Sequence, residues 1–129
     1  MRSLMLSAAV LALGTASSYA SCQVSHGKWM LDQESTATIQ LAAGASCSYR
    51  VSPGSSTDVK SVAITQKPQH GSASASGSLV DILIRYQANP GYKGSDEFVY
   101  SISGATSRSV AGLRSPEGVA KIRVSVDVQ

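Results

Sequence analysis

Residues 94–103 constrain the fold of this chain more than any other part of the sequence. Even-numbered positions there carry mainly large apolar side chains, and odd-numbered positions are mainly polar. The even-numbered face is Asp96, Phe98, Tyr100 and Ile102, and the odd-numbered face is Glu97, Val99, Ser101 and Ser103. A period of two with aromatic and branched residues on one face indicates a half-buried β-strand. A turn-forming sequence, residues 89–94 (NPGYKG), leads into it.

Segments of the same kind recur along the chain, separated by turns rich in glycine, proline and serine. They cover residues 36–41, 47–51, 59–66, 79–87 and 119–128, and a run of small residues, 72–76, lies between the third and the fourth. No segment carries apolar residues at helical spacing between caps. About seven short strands predict an all-β fold, an antiparallel β-sandwich, with a small barrel as the alternative. The side chains expected to face inward are Ile64, Ile84, Tyr86, Phe98, Tyr100, Val124 and Val126.

The first 20 residues predict a signal peptide for export and not a part of the folded domain. Arg2 gives a positive start, residues 4–14 are an almost unbroken apolar run, and residues 18–20 (SYA) place small side chains where a signal peptidase cleaves. The apolar run is too short to span a membrane. We therefore expect the mature protein in the periplasm or outside the cell. Lipidation of Cys22, which follows two small residues, is the alternative.

The chain has two cysteines, Cys22 and Cys47. A pair of cysteines in an exported protein most often forms a disulfide. Such a bridge would close a loop of about 25 residues, for which the chain-entropy model gives roughly 3–3.5 kcal/mol of stabilisation. Free thiols are one alternative, and a zinc site is another. Zinc would need two further ligands, and His26 and His70 are the only histidines in the chain.

The predicted mature chain is one small domain with a mild positive charge. We divide it into an N-terminal arm tied down by the disulfide, residues 21–34, and a sandwich domain, residues 35–129. Residues 23–34 could instead form a short extra strand. The full chain has 11 Lys and Arg against 8 Asp and Glu, and loss of Arg2 with the signal leaves 10 against 8, a net charge of +2. The basic residues are scattered along the sequence, so nucleic-acid binding is not indicated.

Few residues are candidates for catalysis or metal binding. His70 lies in a Pro-Gln-His-Gly turn, and no serine lies in a Gly-x-Ser-x-Gly motif. Asp96 and Glu97 face opposite sides of a strand, so they cannot act as a paired acid and base, and no acidic cluster supplies the oxygens that calcium requires. His26 and Met30 could bind copper through imidazole and thioether ligands. We expect no enzyme activity, no cofactor and no metal site.

The spacing within 94–103 indicates a structural role for its carboxylate. Asp96 precedes Tyr100 by four residues, the spacing of a corner in which a tyrosine hydroxyl reaches back to the chain. Asp96 can also cap a turn through its own side chain. We therefore expect Asp96 to hold a turn and not a ligand.

Four segments of the sequence resemble the bacterial immunoglobulin-like, cadherin-like modules. They are residues 64–71 (ITQKPQHG), 84–92 (IRYQANPGY), 94–102 (GSDEFVYSI) and 122–126 (IRVSV). Those modules carry a Pro-x-His-Gly turn, a block of the form Tyr-x-Pro-x-x-Gly-Tyr-x-Gly-x-Asp-x-Phe-x-Tyr, and a terminal valine-rich strand. The resemblance covers residues 59–128. The chain departs from the modules in two places: Gln87 and Ala88 lengthen the segment before Pro90, and residues 103–118 are longer than the corresponding segment of the modules. It implies an immunoglobulin-like fold, a place in adhesins or surface arrays, and no catalytic residues.

The connection between the last two predicted strands, residues 103–118, is the candidate site for a partner. Arg108 and Arg114 flank Val110 and Leu113, which combines two guanidinium donors with apolar side chains. Connections of this length are commonly functional or disordered. A hairpin extension that lengthens both strands is the alternative.

These features predict a small exported module that binds a protein or glycan partner in adhesion at the cell envelope. Two alternatives from other classes remain. One is a structural accessory domain of the envelope without a ligand of its own. The other is a periplasmic metal-binding protein, which would require His26, Met30 and His70 to converge.

Overall fold

The computed structural model describes residues 22–52, 57–78, 81–106 and 117–129. The predicted signal peptide lies outside these ranges. The described residues form an all-β structure, which confirms the predicted class. The strands are β1 (Gln23–His26), β2 (Glu34–Leu41), β3 (Ser46–Val51), β4 (Thr57–Gln66), β5 (Gly71–Ser78), β6 (Asp81–Ala88), β7 (Gly94–Thr106) and β8 (Glu117–Val128). Within the same ranges there is no helix with the length and hydropathy needed to cross a membrane.

The eight strands form two sheets. The five-stranded sheet has the order β1-β2-β8-β7-β4, and the three-stranded sheet has the order β3-β6-β5. Each pair of neighbours runs antiparallel except β2 and β8, which run parallel in register from Glu34↔Lys121 to Leu41↔Val128. The chain changes sheets between β2 and β3, between β3 and β4, and again between β4 and β5 and between β6 and β7.

The structure differs from the sequence-based prediction in two respects. The described residues contain eight strands where about seven were expected, and one sheet is mixed where both were expected to be antiparallel. The N-terminal segment contributes the additional strand β1, which pairs with β2; this short extra strand is the alternative raised for residues 23–34. The parallel pair was not predictable because alternation specifies the buried face of a strand, whereas the neighbouring strand and its direction are set by the tertiary fold.

The core lies between the two sheets and is built from alternate residues of each long strand. In β8 every second residue from Gly118 to Val128 is buried. Six of the seven side chains that were expected to face inward are buried, and Ile64 is half-buried. The six are Ile84, Tyr86, Phe98, Tyr100, Val124 and Val126. The predicted register of these strands is therefore confirmed.

Candidate functional site

One lateral side of the structure is closed by a covalent bond between the sheets. Cys22, directly before β1, is bonded to Cys47 in β3, and their Cα atoms are 5.4 Å apart. Because β1 and β3 are edge strands of different sheets, the bond ties the two sheets together. The rings of His26 and Tyr49 stack between the same two strands with centroids 5.7 Å apart. The predicted disulfide is confirmed, and it joins the edge strands β1 and β3.

The other lateral side is held by a single carboxylate. Asp96 in β7 is 9% exposed and accepts hydrogen bonds from four groups. The backbone amides of Gln69 and His70 donate to its two oxygens at 3.0 and 3.1 Å. The hydroxyl of Tyr86 donates at 2.7 Å, and the backbone amide of Glu97 donates at 2.9 Å. We call this arrangement the Asp96 clamp, since it joins β7, the β4–β5 turn and β6.

In the Asp96 clamp, an ionised carboxylate accepts hydrogen bonds from donors that are all uncharged. Burial by itself raises the pKa of the Asp96 carboxyl, but the hydrogen bonds from Tyr86 and three backbone amides outweigh burial and hold that pKa below its ordinary value. Burial, together with the neighbouring carboxylate, raises the pKa of the Tyr86 hydroxyl, which therefore stays protonated as a donor. A calcium ion at Asp96 would have to displace these donors.

The turn that the clamp holds is packed tightly against the β6–β7 connection. The rings of His70 and Tyr92 are stacked with centroids 4.1 Å apart. The backbone amide of Asn89 donates to the carbonyl of His70 at 2.9 Å. A Cβ added at Gly71 would lie 2.8 Å from the Tyr86 hydroxyl oxygen, which is too close. His70 is accordingly a packing residue of the turn, as its position in the sequence indicated.

The tyrosine that reaches Asp96 is not the one that the spacing indicated. The hydroxyl of Tyr100 lies 3.4 Å from that of Tyr49, and Tyr86 of the opposite sheet contacts the carboxylate instead. Four residues of extended strand span about 13 Å, so a side chain at position 100 cannot reach one at position 96 in the same strand. Asp96 does hold a turn, but it is the β4–β5 turn and not the turn that precedes its own strand.

Glu97, the acidic residue next to Asp96, forms an ion pair on the outer face of the five-stranded sheet. Arg123 donates to Glu97 at 2.6 Å and to Glu34 at 3.2 Å, which links β7, β8 and β2. Val99, the register partner of Arg123, is on this outer face and yet is only 1% exposed. Asp96 and Glu97 are thus engaged on opposite faces of the sheet, as the alternation of β7 predicted.

The three residues of the metal-binding alternative do not converge. His26 is in β1 and His70 follows β4, and these strands are the two edges of the five-stranded sheet. Four strand spacings of about 4.8 Å separate these two edges by roughly 19 Å. Met30 lies between β1 and β2 and is 59% exposed. In the part of the chain that the structure describes, no three His, Cys, Asp or Glu side chains are grouped as metal ligands.

The candidate partner-binding connection is shorter than the sequence indicated. Strand β7 continues to Thr106 and β8 starts at Glu117, and the two are paired as far as Ala105↔Glu117. This lengthening of both strands is the alternative raised for residues 103–118. The four residues proposed to contact a partner, Arg108, Val110, Leu113 and Arg114, lie outside the described residues, and their role stays a prediction.

Sequence reasoning missed a further surface, the free edge of β5. This strand forms one side of the three-stranded sheet and pairs with β6 alone, in unbroken register from Gly71↔Ala88 to Ser78↔Asp81. It carries no charged residue and no proline. Its outward side chains Ser72, Ser74 and Ser76 are exposed. The signal that could have revealed it is the strict Ser-Ala alternation of 72–76, since a period of two marks an extended segment even when the side chains are small.

A shallow groove crosses the outer face of the same three-stranded sheet. It has a volume of about 350 Å³, and serines of β3 and β5 line it on either side of two longer polar residues of β6. These lining residues are Ser46, Ser72, Ser74, Arg85 and Gln87. The groove places an exposed guanidinium beside the free edge.

A scan against protein-family models, a search of curated proteins and a search of solved structures each return no match to this chain. The site therefore has to be interpreted from its own geometry.

Proposed function

We propose that this chain is a small exported immunoglobulin-like module that binds a protein or a glycan at the cell envelope and has no catalytic activity. The strand order is the observation that carries the proposal. In an immunoglobulin-like sandwich, strands B, E and D share one sheet, and strands C, F and G share the other. The strands β3 to β8, lettered B to G in chain order, reproduce both groupings and their neighbours. β1 and β2 extend the sheet beyond β8.

The two motifs that resemble the bacterial modules also support the proposal, since they meet in space. The Pro-x-His-Gly turn supplies the amides of Gln69 and His70, and the aspartate of the tyrosine-rich block accepts both. Contact through Asp96 gives one physical reason for both motifs to occur in one chain. A sandwich stabilised in this way leaves its edges and end loops available for recognition, the usual use of such scaffolds.

The absence of catalysis is proposed because the ionisable residues that sequence reasoning singled out have structural partners. Asp96 is saturated by its four donors, and Glu97 is paired with Arg123. His26 and His70 each lie flat against a tyrosine ring. Catalytic pairs need a nucleophile or proton acceptor within hydrogen-bond reach of a substrate, with a second group to orient it. These side chains are oriented by the fold itself.

Export is proposed from the signal pattern of residues 1–20 and is supported by the disulfide, because such bonds persist in oxidising compartments. Intact mass spectrometry of the protein from the producing cells tests this. The expected species begins at Ser21 and contains one disulfide. A diacylglyceryl mass on Cys22, or two thiols that alkylate without reduction, would contradict it.

The binding function is tested by immobilising the exported domain and challenging it with solubilised envelope proteins and a panel of envelope glycans. We expect at least one component to be retained, to be displaced by excess soluble domain, and to be lost when the bait carries Phe98→Ala. That variant removes a side chain with 0% exposure and so disrupts the fold. If nothing is retained specifically, the result would contradict a binding function and favour the alternative hypothesis of a structural accessory domain without a ligand.

A further inference from the structure

We propose that the free edge of β5 binds an extended peptide segment of a protein partner as an added strand. The segment carries apolar side chains larger than alanine on the face toward the core, and a carboxylate on the outer face beside Arg85. This inference rests on the proposed function, because it names the surface through which the module would recognise a protein.

The four sheet edges of the described residues differ in how they are protected. Proteins block edge strands by keeping them short, by charges, by bulges or by covering them. β1 is four residues long and follows Cys22 of the disulfide, and β3 contains Cys47 and Tyr49 of the closed side. β4 has register irregularities at Val59/Ser61 and Ile64/Gln66, together with an ion pair from Lys60.

β5 has no charge, no proline and no register irregularity along its eight residues, and β4 lies close to it without pairing. In an antiparallel ladder, every second residue directs its N–H and C=O away from its partner strand. In β5 these groups point to a side on which no described strand is hydrogen-bonded. An edge of this kind is the template that peptide-recognition domains use when they add a strand from a partner.

The apolar side chains near this edge define what the inward face of the partner must carry. Val62 and Ile64 of β4 and Ala73 and Ala75 of β5 point toward the core but remain only partly buried. A strand added to β5 would place its inward side chains over them. Val or Ile would cover this area, whereas the alanines of a second copy of β5 would leave most of it in water. The occupant is therefore a partner peptide and not a second copy of this chain.

Arg85 defines the charge of the partner. It is exposed at the centre of the outer face, and no acidic side chain of the described residues pairs with it. By contrast, Arg50 on the same face pairs with Asp81. The register neighbours of Arg85 are Ser48 and Ser74, which are too short to obstruct its side chain. A carboxylate on the outer face of the added strand would supply the missing acceptor.

The contact is small, so the affinity should be modest. An eight-residue strand is about 27 Å long, and an added strand buries less area than a stable protein–protein interface requires. We expect a dissociation constant of roughly 10 µM to 1 mM for a short peptide.

The probe is a capped eight-residue peptide in which valine alternates with threonine and one central threonine is replaced by glutamate. Titration into ¹⁵N-labelled protein should shift the amide resonances of β5 and its neighbour β6 above all others. Two N-methylated versions, carrying methyl groups on alternate amides, provide the backbone control. Because amides of a strand alternate in direction, one version should lose binding and the other should keep it.

Protein variants test the two proposed contacts separately, namely the ion pair with Arg85 and the strand pairing along β5. Arg85→Gln should weaken binding of the glutamate peptide by about 2–5-fold, the range of an exposed ion pair, and should leave a matched glutamine peptide unaffected. Arg50→Gln, an arginine on the same face with its own partner, should change neither. Ala75→Lys introduces an inward charge at the edge and should abolish measurable binding. The N-methylated peptides keep the test decisive if that variant does not fold.

The outcomes separate the site from the proposed function. Equal binding of both N-methylated peptides, shifts located away from β5, or no binding at millimolar peptide overturns the β5 site. Dimerisation of the protein alone through β5, measured by sedimentation, also overturns it in favour of a second copy. If the Ala75→Lys bait still captures the envelope partner of the intact domain, the function stands and the site fails. If only the peptide binds, the site stands without the function.

Discussion

The two lateral sides of the sandwich are stabilised in different ways. On the β1/β3 side, the Cys22–Cys47 bond and the stacked rings of His26 and Tyr49 connect the sheets. On the β4/β5 side, the connection is the Asp96 clamp on the β4–β5 turn, and the edge of β5 beyond it is free. One side is thus closed by a covalent bond, and the other is held at one end by a carboxylate.

This difference shows how a small domain can be stable and still keep one edge open. A domain of roughly 100 residues buries only around two-thirds of its unfolded surface, so a covalent link contributes strongly. Because the disulfide connects the sheets on the β1/β3 side, the β4/β5 side needs only enough order to keep β5 extended. The Asp96 clamp provides this order where the chain passes from one sheet to the other.

The largest expected effect is on the closed side. Replacing both cysteines, Cys22→Ser with Cys47→Ser, should lower the free energy of unfolding by about 3–3.5 kcal/mol, because the unfolded chain regains the entropy of the loop. Denaturant unfolding monitored by circular dichroism measures it. A loss below about 1 kcal/mol would mean that the stacked rings and β1 pairing close this side without the bond.

On the open side, Asp96→Asn should lower the free energy of unfolding by about 2–3 kcal/mol. The amide keeps one oxygen that can accept, and its NH2 group replaces the other. The NH2 group then faces either the backbone amides of Gln69 and Glu97 or the His70 amide and the Tyr86 hydroxyl. Glu97→Gln is the matched control, since it alters the adjacent residue on the outer face, and it should cost no more than about half a kcal/mol. Equal losses in the two variants would contradict the clamp.

The effect of Asp96→Asn on stability should depend on pH. The pKa of Asp96 is lowered in the folded state, so its contribution is fully present above the unfolded aspartate pKa of about 4 and is lost as pH falls through the folded value. The difference in unfolding free energy between wild type and Asp96→Asn should therefore be largest near neutral pH and shrink below about pH 4. A constant difference down to acid pH would show that the carboxylate charge is not responsible.

Gly71→Ala should have a smaller effect at the start of β5. The added methyl group meets the Tyr86 hydroxyl and the carbonyl of Gln87, so the β5–β6 pair must shift. We expect a loss of about 1–2 kcal/mol in unfolding free energy. Ser72→Ala at the next, exposed position should stay within about half a kcal/mol. If both changes are neutral, the turn is looser than the clamp implies.

The sequence was informative where side chains are large and alternate. β6, β7 and β8 each bury alternate residues on the face toward the core, as the alternation predicted, and Val99 of β7 is an exception that is buried on the outer face. β5 has the same period, but serine, alanine and glycine pack poorly in strands and give little propensity signal. The four residues of β1 are too few for a periodic pattern to decide between an arm and a short extra strand.

Contacts between distant segments could not be predicted from the sequence. Spacing within one strand indicated a corner in which the Tyr100 hydroxyl reaches back to the chain. Instead, Tyr100 lies beside Tyr49, and Tyr86 on the facing sheet contacts Asp96. The parallel pairing of β2 and β8 likewise depends on how the chain crosses between sheets. Such contacts follow from topology, which alternation along a strand does not encode.

Native-state amide hydrogen exchange of the free protein tests the open edge most directly. In Gly71–Ser78, we predict that every second amide is protected by β6 and that the intervening amides exchange quickly, because they face no hydrogen-bonded strand. β6, which is paired on both sides, should be protected at successive amides. Uniform protection along β5 would contradict the account, since it would mean that this edge is already covered.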